Sequence, residues 1–396
     1  MTALRDIPLA TLRRARLTSQ LLAPVAPTSS AAVNAPRAPA VPPAPPRTIA
    51  ETVGHLLCLQ AQDFGQALWA VGARTPGATR ADVRAALDAG EVVRTSLLRG
   101  TLHFLEARDL RWLLALTAPR AMRSAARRLR ETGADAQTIA RAAEIARAEL
   151  RGGGALTRTE FFAALRAAGI APDGQRGYHL IFALAQAGEV CWGPTRGDQP
   201  ALVLVEEWIS RDRDAHGGGA ADEADAIGAL ALRYFTGHGP ASVADLAWWT
   251  KLPVTAVRAG VAAVRDRLVE VTCEGVTYYL IDTAGSGDVA GLLSAASTRS
   301  TSSRPHMLAL AAFDEYLLGY QDRSAMLEPR YAERVVPGKN GLFRPIVVAD
   351  SRVVGTWRKG TDVGARVVAE PFDTLSEQYS AALAEVEAQY AAFLGV

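Results

Sequence analysis

The sequence predicts an α+β protein made of three successive helix-then-hairpin units followed by a β-rich C-terminal unit that fits a small sheet or barrel. Three observations carry this expectation. Helix-capping signals followed by paired apolar strands recur three times along the chain, and residues 305–396 turn β-rich. The composition is that of a folded globular chain, with 396 residues, 49% hydrophobic and 21% charged. At about 150 residues per domain, such a length admits two to four separate cores.

The first unit is expected over residues 1–150. A helix is predicted at 9–22, followed by a segment at 24–46 with eight prolines among Ala, Ser and Val, which can neither hold a helix nor bury a core. This segment reads as a flexible insertion between two helices. Thr48 with Glu51 forms a capping box for the next helix; helices near 48–59, 64–73 and 80–89 then lead into strands at 92–98 and 101–105, joined at Arg99 and Gly100. The second unit, 151–215, opens on another capping box, Thr157 with Glu160. Its helix stops at Gly169, a second helix covers 177–187, and strands at 189–192 and 201–205 follow. In the third unit, 220–283, a helix spans 222–235, Ser242 caps a second, Pro253 starts a third, and strands at 269–273 and 276–281 flank a Glu274, Gly275 turn. Three helices and a β-hairpin make the winged-helix pattern, so three such units in tandem are expected. After a Ser/Thr/Gly loop at 283–305, strands are predicted at 307–312, 345–349 and 352–357, with Asn340 and Gly341 as a turn signal and a final helix from Thr374.

The net charge of +2 says little, but its distribution says more. Between Arg94 and Arg130, nine arginines face only Glu106 and Asp109, which predicts one basic face. Lysines number only three (Lys251, Lys339, Lys359), so the positive charge is nearly all guanidinium, suited to bidentate phosphate contacts. Cys58, Cys191 and Cys273 are too far apart for a cysteine-rich zinc or iron–sulfur site. They imply a reducing cytoplasm, and no apolar run approaches the roughly 18 residues of a membrane span.

Winged helices mostly bind nucleic acid, so three of them beside an arginine excess point to a long contact with duplex DNA. Arg120, Arg123, Arg127 and Arg130 sit at i, i+3, i+7 and i+10, one stripe of a helix able to follow phosphates. Arg94 belongs to the same basic segment. Arg99, Thr101 and His103 fall on one face of a strand, a polar face that a wing can carry into a groove. The histidines show no paired spacing of the kind that binds metal, so no metal or cofactor is expected. The sharpest local feature is Gln60, Ala61, Gln62, Asp63. Residues at i and i+2 share a side only in an extended segment, so Gln60 and Gln62 converge if the preceding helix ends here. Two convergent amides can hold one water.

Gln60–Ala61–Gln62–Asp63, the stretch from Val93 to His103, the run from Ala312 to Arg323 and the turn from Asn340 to Pro345 together resemble the tandem winged-helix (AlkZ-like) DNA glycosylases. The resemblance covers nearly the whole chain outside the proline-rich insertion. This family includes enzymes that unhook interstrand crosslinks and remove bulky alkylpurines, some serving as self-resistance to DNA-alkylating antibiotics such as azinomycin. The resemblance implies a C-shaped monomer of three winged helices and a C-terminal β-barrel around a basic channel, acting on double-stranded DNA in the cytoplasm, associated with the nucleoid. It also implies a water-holding signature of Gln, an aliphatic residue, then Gln or Asp, which falls here on Gln60 and Gln62. The Gln-x-Gln form is similar to the antibiotic-resistance branch, although Ala61 is smaller than the usual aliphatic.

A glutamine amide is neutral and a poor base; it orients water and offers a carbonyl oxygen to developing positive charge. That suffices for a purine already cationic through alkylation, such as N7-alkylguanine; a lyase would need an amine nucleophile, and none of the three lysines falls in a resembling motif, so a monofunctional glycosylase is expected. Asp63 is expected to cap a helix. Asp314 and Glu315 are expected to end a strand and cap the next segment, a structural role above a catalytic one. The competing expectation is a non-catalytic winged-helix regulator, for which the two glutamines are ordinary polar residues. A nuclease is a weaker third reading, since the acids form no clear metal-binding motif.

Overall fold

In a computed structural model of the chain, the residues described are 4–23, 47–209, 223–282, 305–339, 341–360 and 367–396. The proline-rich insertion at 24–46, the loop at 283–304 and Asn340 with its expected turn lie outside them. The first unit comprises β1 (Arg5–Asp6), α1 (Leu9–Ser19), α2 (Ile49–His55), β2 (Cys58–Gln60), α3 (Phe64–Gly72), α4 (Arg80–Asp88), β3 (Val92–Ser96) and β4 (Leu102–Glu106). Two long helices, α5 (Leu110–Glu131) and α6 (Ala136–Leu150), lead to the second unit: β5 (Leu156–Thr157), α7 (Arg158–Ala167), α8 (Arg176–Gln186), β6 (Val190–Arg196), β7 (Gln199–Leu204) and α9 (Val205–Trp208). The third contains α10 (Glu223–His238), α11 (Val243–Thr250), α12 (Val254–Ala263), β8 (Leu268–Cys273) and β9 (Val276–Ile281). The C-terminal unit follows with β10 (Met307–Leu310), α13 (Glu315–Leu318), α14 (Ala332–Val335), β11 (Ile346–Ala349), β12 (Arg352–Lys359), β13 (Val367–Pro371) and α15 (Glu377–Leu394).

The mixed α+β class is as expected, and local chemistry explains most boundaries. Thr48, Thr157 and Ser242 each close a reciprocal capping box with the acid three residues on, satisfying N–H groups that a helix end leaves free. Thr79 does the same with Asp82. The terminal helix begins at Glu377 rather than Thr374, with Ser376 as its extended flanking residue.

Sheet topology departs from three separate hairpins. The first two units share one sheet of order β2-β4-β3-β6-β7-β5, joined where Arg94 of β3 pairs with Trp192 of β6. The N-terminal strand β1 pairs in parallel with β8, so residues far apart in sequence complete the third unit's hairpin. The β-barrel that the resemblance implies is not detected among the described residues, whose C-terminal strands form a four-stranded antiparallel sheet, β10-β11-β12-β13. One face of that sheet is covered by aromatic packing instead of closing on itself. Trp69 of α3 donates its indole N–H to Ala309 O at 2.7 Å, and its ring lies 5.0 Å from Tyr390 and 5.1 Å from Phe393 of α15. The β11–β12 turn falls at Asp350 and Ser351, both with positive φ (44° and 71°), the geometry of a tight hairpin.

Where the first, third and C-terminal units meet, the contact is ionic as well as apolar. Arg74 holds Asp314 through two bonds of 2.7 and 2.9 Å, both side chains buried, and donates a third to Gln20 Oε1 at 3.0 Å. Arg16 donates to Pro240 O at 2.9 Å and lies 3.8 Å from the Tyr320 ring centroid. Removing one member of a buried, hydrogen-bonded pair strands the other. Arg74→Ala is therefore expected to lower unfolding free energy by about 3–5 kcal/mol in urea titration, with Arg74→Met/Asp314→Leu less destabilised than Arg74→Ala alone; equal loss in both would refute the pair's role.

Candidate active site

The segment carrying the two glutamines is built by an abrupt change of backbone. Helix α2 ends at His55, Leu57 adopts φ 67°, and the chain emerges extended as β2, antiparallel to β4 with Gln60 opposite His103. Ala61 N–H continues the ladder to Leu102 O at 2.7 Å, and Asp63 then caps α3 by accepting from Gln66 N at 3.0 Å. Asp63 has the capping role expected of it. Strand β2 ends at Gln60, and Gln62 lies in the bend that leads into α3, two residues further on. Gln60 is buried and Gln62 exposed, so the pair spans the boundary between interior and solvent. Gln62 Oε1 accepts from Leu102 N at 3.3 Å, which leaves its amide N–H groups as donors.

Two groups, Arg94 and Glu315, fix this strand from behind. Arg94 donates from Nε to Ala61 O at 2.9 Å and from Nη2 to Gln62 O at 3.4 Å, clamping both carbonyls that flank the second glutamine. Its surroundings explain the burial: Phe64 and Trp192 lie 5.7 and 5.9 Å from the guanidinium. Burial, with Arg158 nearby, pushes Arg94 down to about 10. The Gln60 N–H points to Glu315 Oε1 at 3.4 Å. Glu315 Oε2 in turn accepts from the Trp249 indole at 2.9 Å and from His238 Nε2 at 3.2 Å. Burial alone would raise the Glu315 pKa, but the His238 ring, the Arg99 guanidinium and the Trp249 N–H outweigh it and hold the carboxyl at about 2.

The expected DNA-contacting residues divide into two groups. Arg120, Arg123, Arg127 and Arg130 all lie on the exposed surface of the single helix α5, as one stripe. Arg127 is paired with Glu131 at 2.7 Å, an exposed i,i+4 contact of small energetic weight. Arg99 and Thr101 sit half-buried at the β3–β4 turn, with Arg99 Nη1 donating to Trp249 O at 2.8 Å. Arg94 and His103, expected at the DNA surface, are instead buried (8% and 0% exposed). The reason is β2. It pairs with the outer edge of β4, so that strand is interior to a six-stranded sheet rather than the free strand of a wing. His103 donates from Nδ1 to Thr101 O at 3.0 Å, and burial, aided by Arg99, lowers its pKa to about 3, so the ring is neutral.

Sequence reasoning missed the group that supports the site. His238, Trp249, Arg74 and Gln20 carried no spacing signal, since each comes from a different element. The one available hint was an acidic pair, Asp314 and Glu315, embedded in an otherwise apolar run, where an unpaired charge is costly. Asp314 accepts from Tyr316 N at 2.9 Å and caps α13, as expected; Glu315 does more, as the anion beneath β2. Among the described residues no three His, Cys, Asp or Glu side chains gather to hold a metal ion, and no helix is long and apolar enough to cross a membrane.

Comparison with known proteins agrees with the class of molecule that this fold and site describe. Residues 53–394 match the family model described as DNA glycosylase AlkZ-like, and the chain belongs to that family. It is 26% identical, over 332 residues, to the interstrand DNA cross-link repair glycosylase of Streptomyces sahachiroi, covering 82% of this chain and 84% of that protein. Its fold is similar to the solved structure of S. sahachiroi DNA glycosylase AlkZ, with a TM-score of 0.74, 23% identity and coverage of 99% and 98% of the two chains.

The buried histidine sets a pH dependence of stability. With its folded pKa near 3 and an unfolded value near 6.5, His103 takes up a proton in the unfolded chain first, so stability is lost as pH falls through that window. His55, also lowered by burial, adds to the same slope. Glu315 extends it below the ordinary carboxylate range, towards pH 2. Chemical denaturation between pH 7 and 4.5 is expected to give a shallower slope for His103→Asn than for the wild-type protein; an unchanged slope would contradict the assignment.

Proposed function

We propose that this protein is a monofunctional DNA glycosylase that hydrolyses the N-glycosidic bond of cationic N-alkylpurines, N7-alkylguanine above all, and unhooks interstrand crosslinks of that chemistry. It would act in DNA repair or self-resistance to an alkylating agent, in the cytoplasm, as a monomer. The observation that carries this reading is the Gln60–Gln62 segment, which sets two neutral amides two residues apart, one buried and one exposed, at the edge of the interior. Neutral amides leave a cationic leaving group cationic; a nearby acid is not needed. The C1′–N bond breaks with its electron pair passing to the alkylated base, which departs neutral. Water held by Gln60 and Gln62 bonds to C1′ of the oxocarbenium-like sugar and releases its proton to solvent, the amide carbonyls easing the positive charge as it develops. A lyase would need an amine at the sugar, and the groups gathered around β2 are Arg94, His103 and Glu315, so water is the nucleophile in this account.

The winged-helix reading of the three units, with a concave basic channel of C shape, supplies the DNA platform. The α5 stripe would track phosphates. A crosslinked or bulky adduct does not pass easily into a closed extrahelical pocket, which favours an open channel.

Base release from duplex DNA carrying N7-alkylguanine, and separately from an interstrand crosslink, tests the reading under single-turnover conditions. Gln60→Ala and Gln62→Ala are each expected to slow release by roughly 100- to 1,000-fold, with DNA binding within a few-fold of wild type. If a broad panel of cationic adducts stays intact while the protein binds DNA, a non-catalytic DNA-binding role replaces this one. For the stripe, Arg123→Gln/Arg127→Gln is expected to reduce the slope of log affinity against log salt by about 2. No change in slope would remove α5 from the interface.

A further inference from the structure

Three cations from separate parts of the chain converge on one indole. The Arg99 guanidinium from the β3–β4 turn, the Lys251 ammonium at the C-terminus of α11 and the Arg323 guanidinium beyond α13 lie 5.3, 5.2 and 4.8 Å from the Trp248 ring centroid. Among the described residues none of the three forms an ion pair with a carboxylate. Two of them are positioned by neutral groups: Arg99 Nη1 donates to Trp249 O, Arg323 Nε donates to Leu317 O at 2.8 Å, and Arg323 also lies 5.0 Å from the Phe343 ring; the Arg99 charge is also felt by the buried Glu315 carboxylate. Arg99 Nη2 is buried without a hydrogen-bond partner. The cations repel one another. Burial, Arg99 and Arg323 together lower the Lys251 pKa, and burial and Arg99 lower that of Arg323, where Asp245 and Asp322 offset only part of the effect. The π-face of Trp248 relieves some of this repulsion, by about 0.5–2 kcal/mol per cation, but carries no net charge.

We propose that Arg99, Lys251 and Arg323 around Trp248 form a seat for one backbone phosphate of the bound duplex, gripped by the first, third and C-terminal units together. Two guanidinium groups and an ammonium on an aromatic floor match a phosphodiester oxygen set, and the phosphate adds to the negative charge that Glu315, Asp245 and Asp322 supply without forming an ion pair with any of the three. The seat is tied to the glutamine pair through the sheet. Arg99 lies on the same hairpin as His103, which is the strand partner of Gln60, so the seat stands no more than about 14 Å from the site, at about 3.3 Å per residue along the strand and about 5 Å between strands. That places the gripped phosphate within about three nucleotides of the adduct and sets the register of the duplex against Gln60 and Gln62. This inference rests on the DNA glycosylase reading above for its ligand, but its test does not depend on base release.

The experiment measures affinity for undamaged duplexes over a range of salt, with single methylphosphonate linkages scanned along each strand. Lys251→Gln, an exposed position, is the principal variant, and Arg323→Gln the second, with thermal unfolding confirming that each is folded. Each variant is expected to weaken binding about five- to tenfold and to reduce the salt slope by about 0.9. At one methylphosphonate position the wild-type protein is expected to weaken equally, with no further loss in either variant. A Lys251→Gln effect of the same size on every duplex in the scan, or an unchanged salt slope, would overturn the seat. If the wild-type protein releases no base from any adduct, the glycosylase reading fails while the binding scan still decides the seat.

Discussion

The buried carboxylate of Glu315 is the constraint on which the site depends. An ionised group removed from water is tolerated only where donors replace its hydration, and here they come from distant parts of the chain: the Gln60 backbone in the first unit, and His238 and Trp249 in the third. Gln20 of the N-terminal segment joins the same assembly by donating to Glu315 O at 3.1 Å while accepting from Arg74, which holds Asp314. Each member is satisfied only when the others are in place. Folding the C-terminal unit against the other two is thereby coupled to the position of β2, and the glutamine pair is held by a network rather than by its own short strand.

The positioning of that strand is otherwise weak. Three residues of β-ladder would leave β2 free to shift by one register, which would turn Gln60 to the opposite face. The Arg94 clamp on the Ala61 and Gln62 carbonyls and the Glu315 anchor on Gln60 N–H prevent that slip from two sides. A pair of neutral amides is a modest catalyst. In the proposed mechanism its effectiveness would come from being preorganised at a fixed place, and from a substrate that already carries the charge needed to leave.

Much of the architecture was legible in the sequence because its signals are local. Capping boxes at Thr48, Thr157 and Ser242, the Glu274 and Gly275 turn, and the periodicity of α5 each depend on residues within a few positions of one another. The site was legible in part: the capping role of Asp63 follows from adjacent residues. What was not legible is non-local. A three-residue strand directly after a helix leaves almost no periodic signal, so the pairing of β2 with β4 was missed, and with it the burial of His103. Arg94 reads as surface charge until Phe64, Trp192 and two carbonyls surround it. The C-terminal strands were found, but whether a sheet closes depends on what covers its face, and Trp69, Tyr390 and Phe393 do so from remote positions.

The most direct test of the central claim is a crystal structure of the protein bound to duplex DNA in which the target sugar is replaced by a cationic ring-nitrogen mimic of the oxocarbenium ion. The account predicts the cationic ring within hydrogen-bonding reach of a water shared by Gln60 and Gln62, with the duplex lying in an open channel. A mimic bound away from both glutamines, or a target nucleotide fully enclosed in an extrahelical pocket, would contradict it.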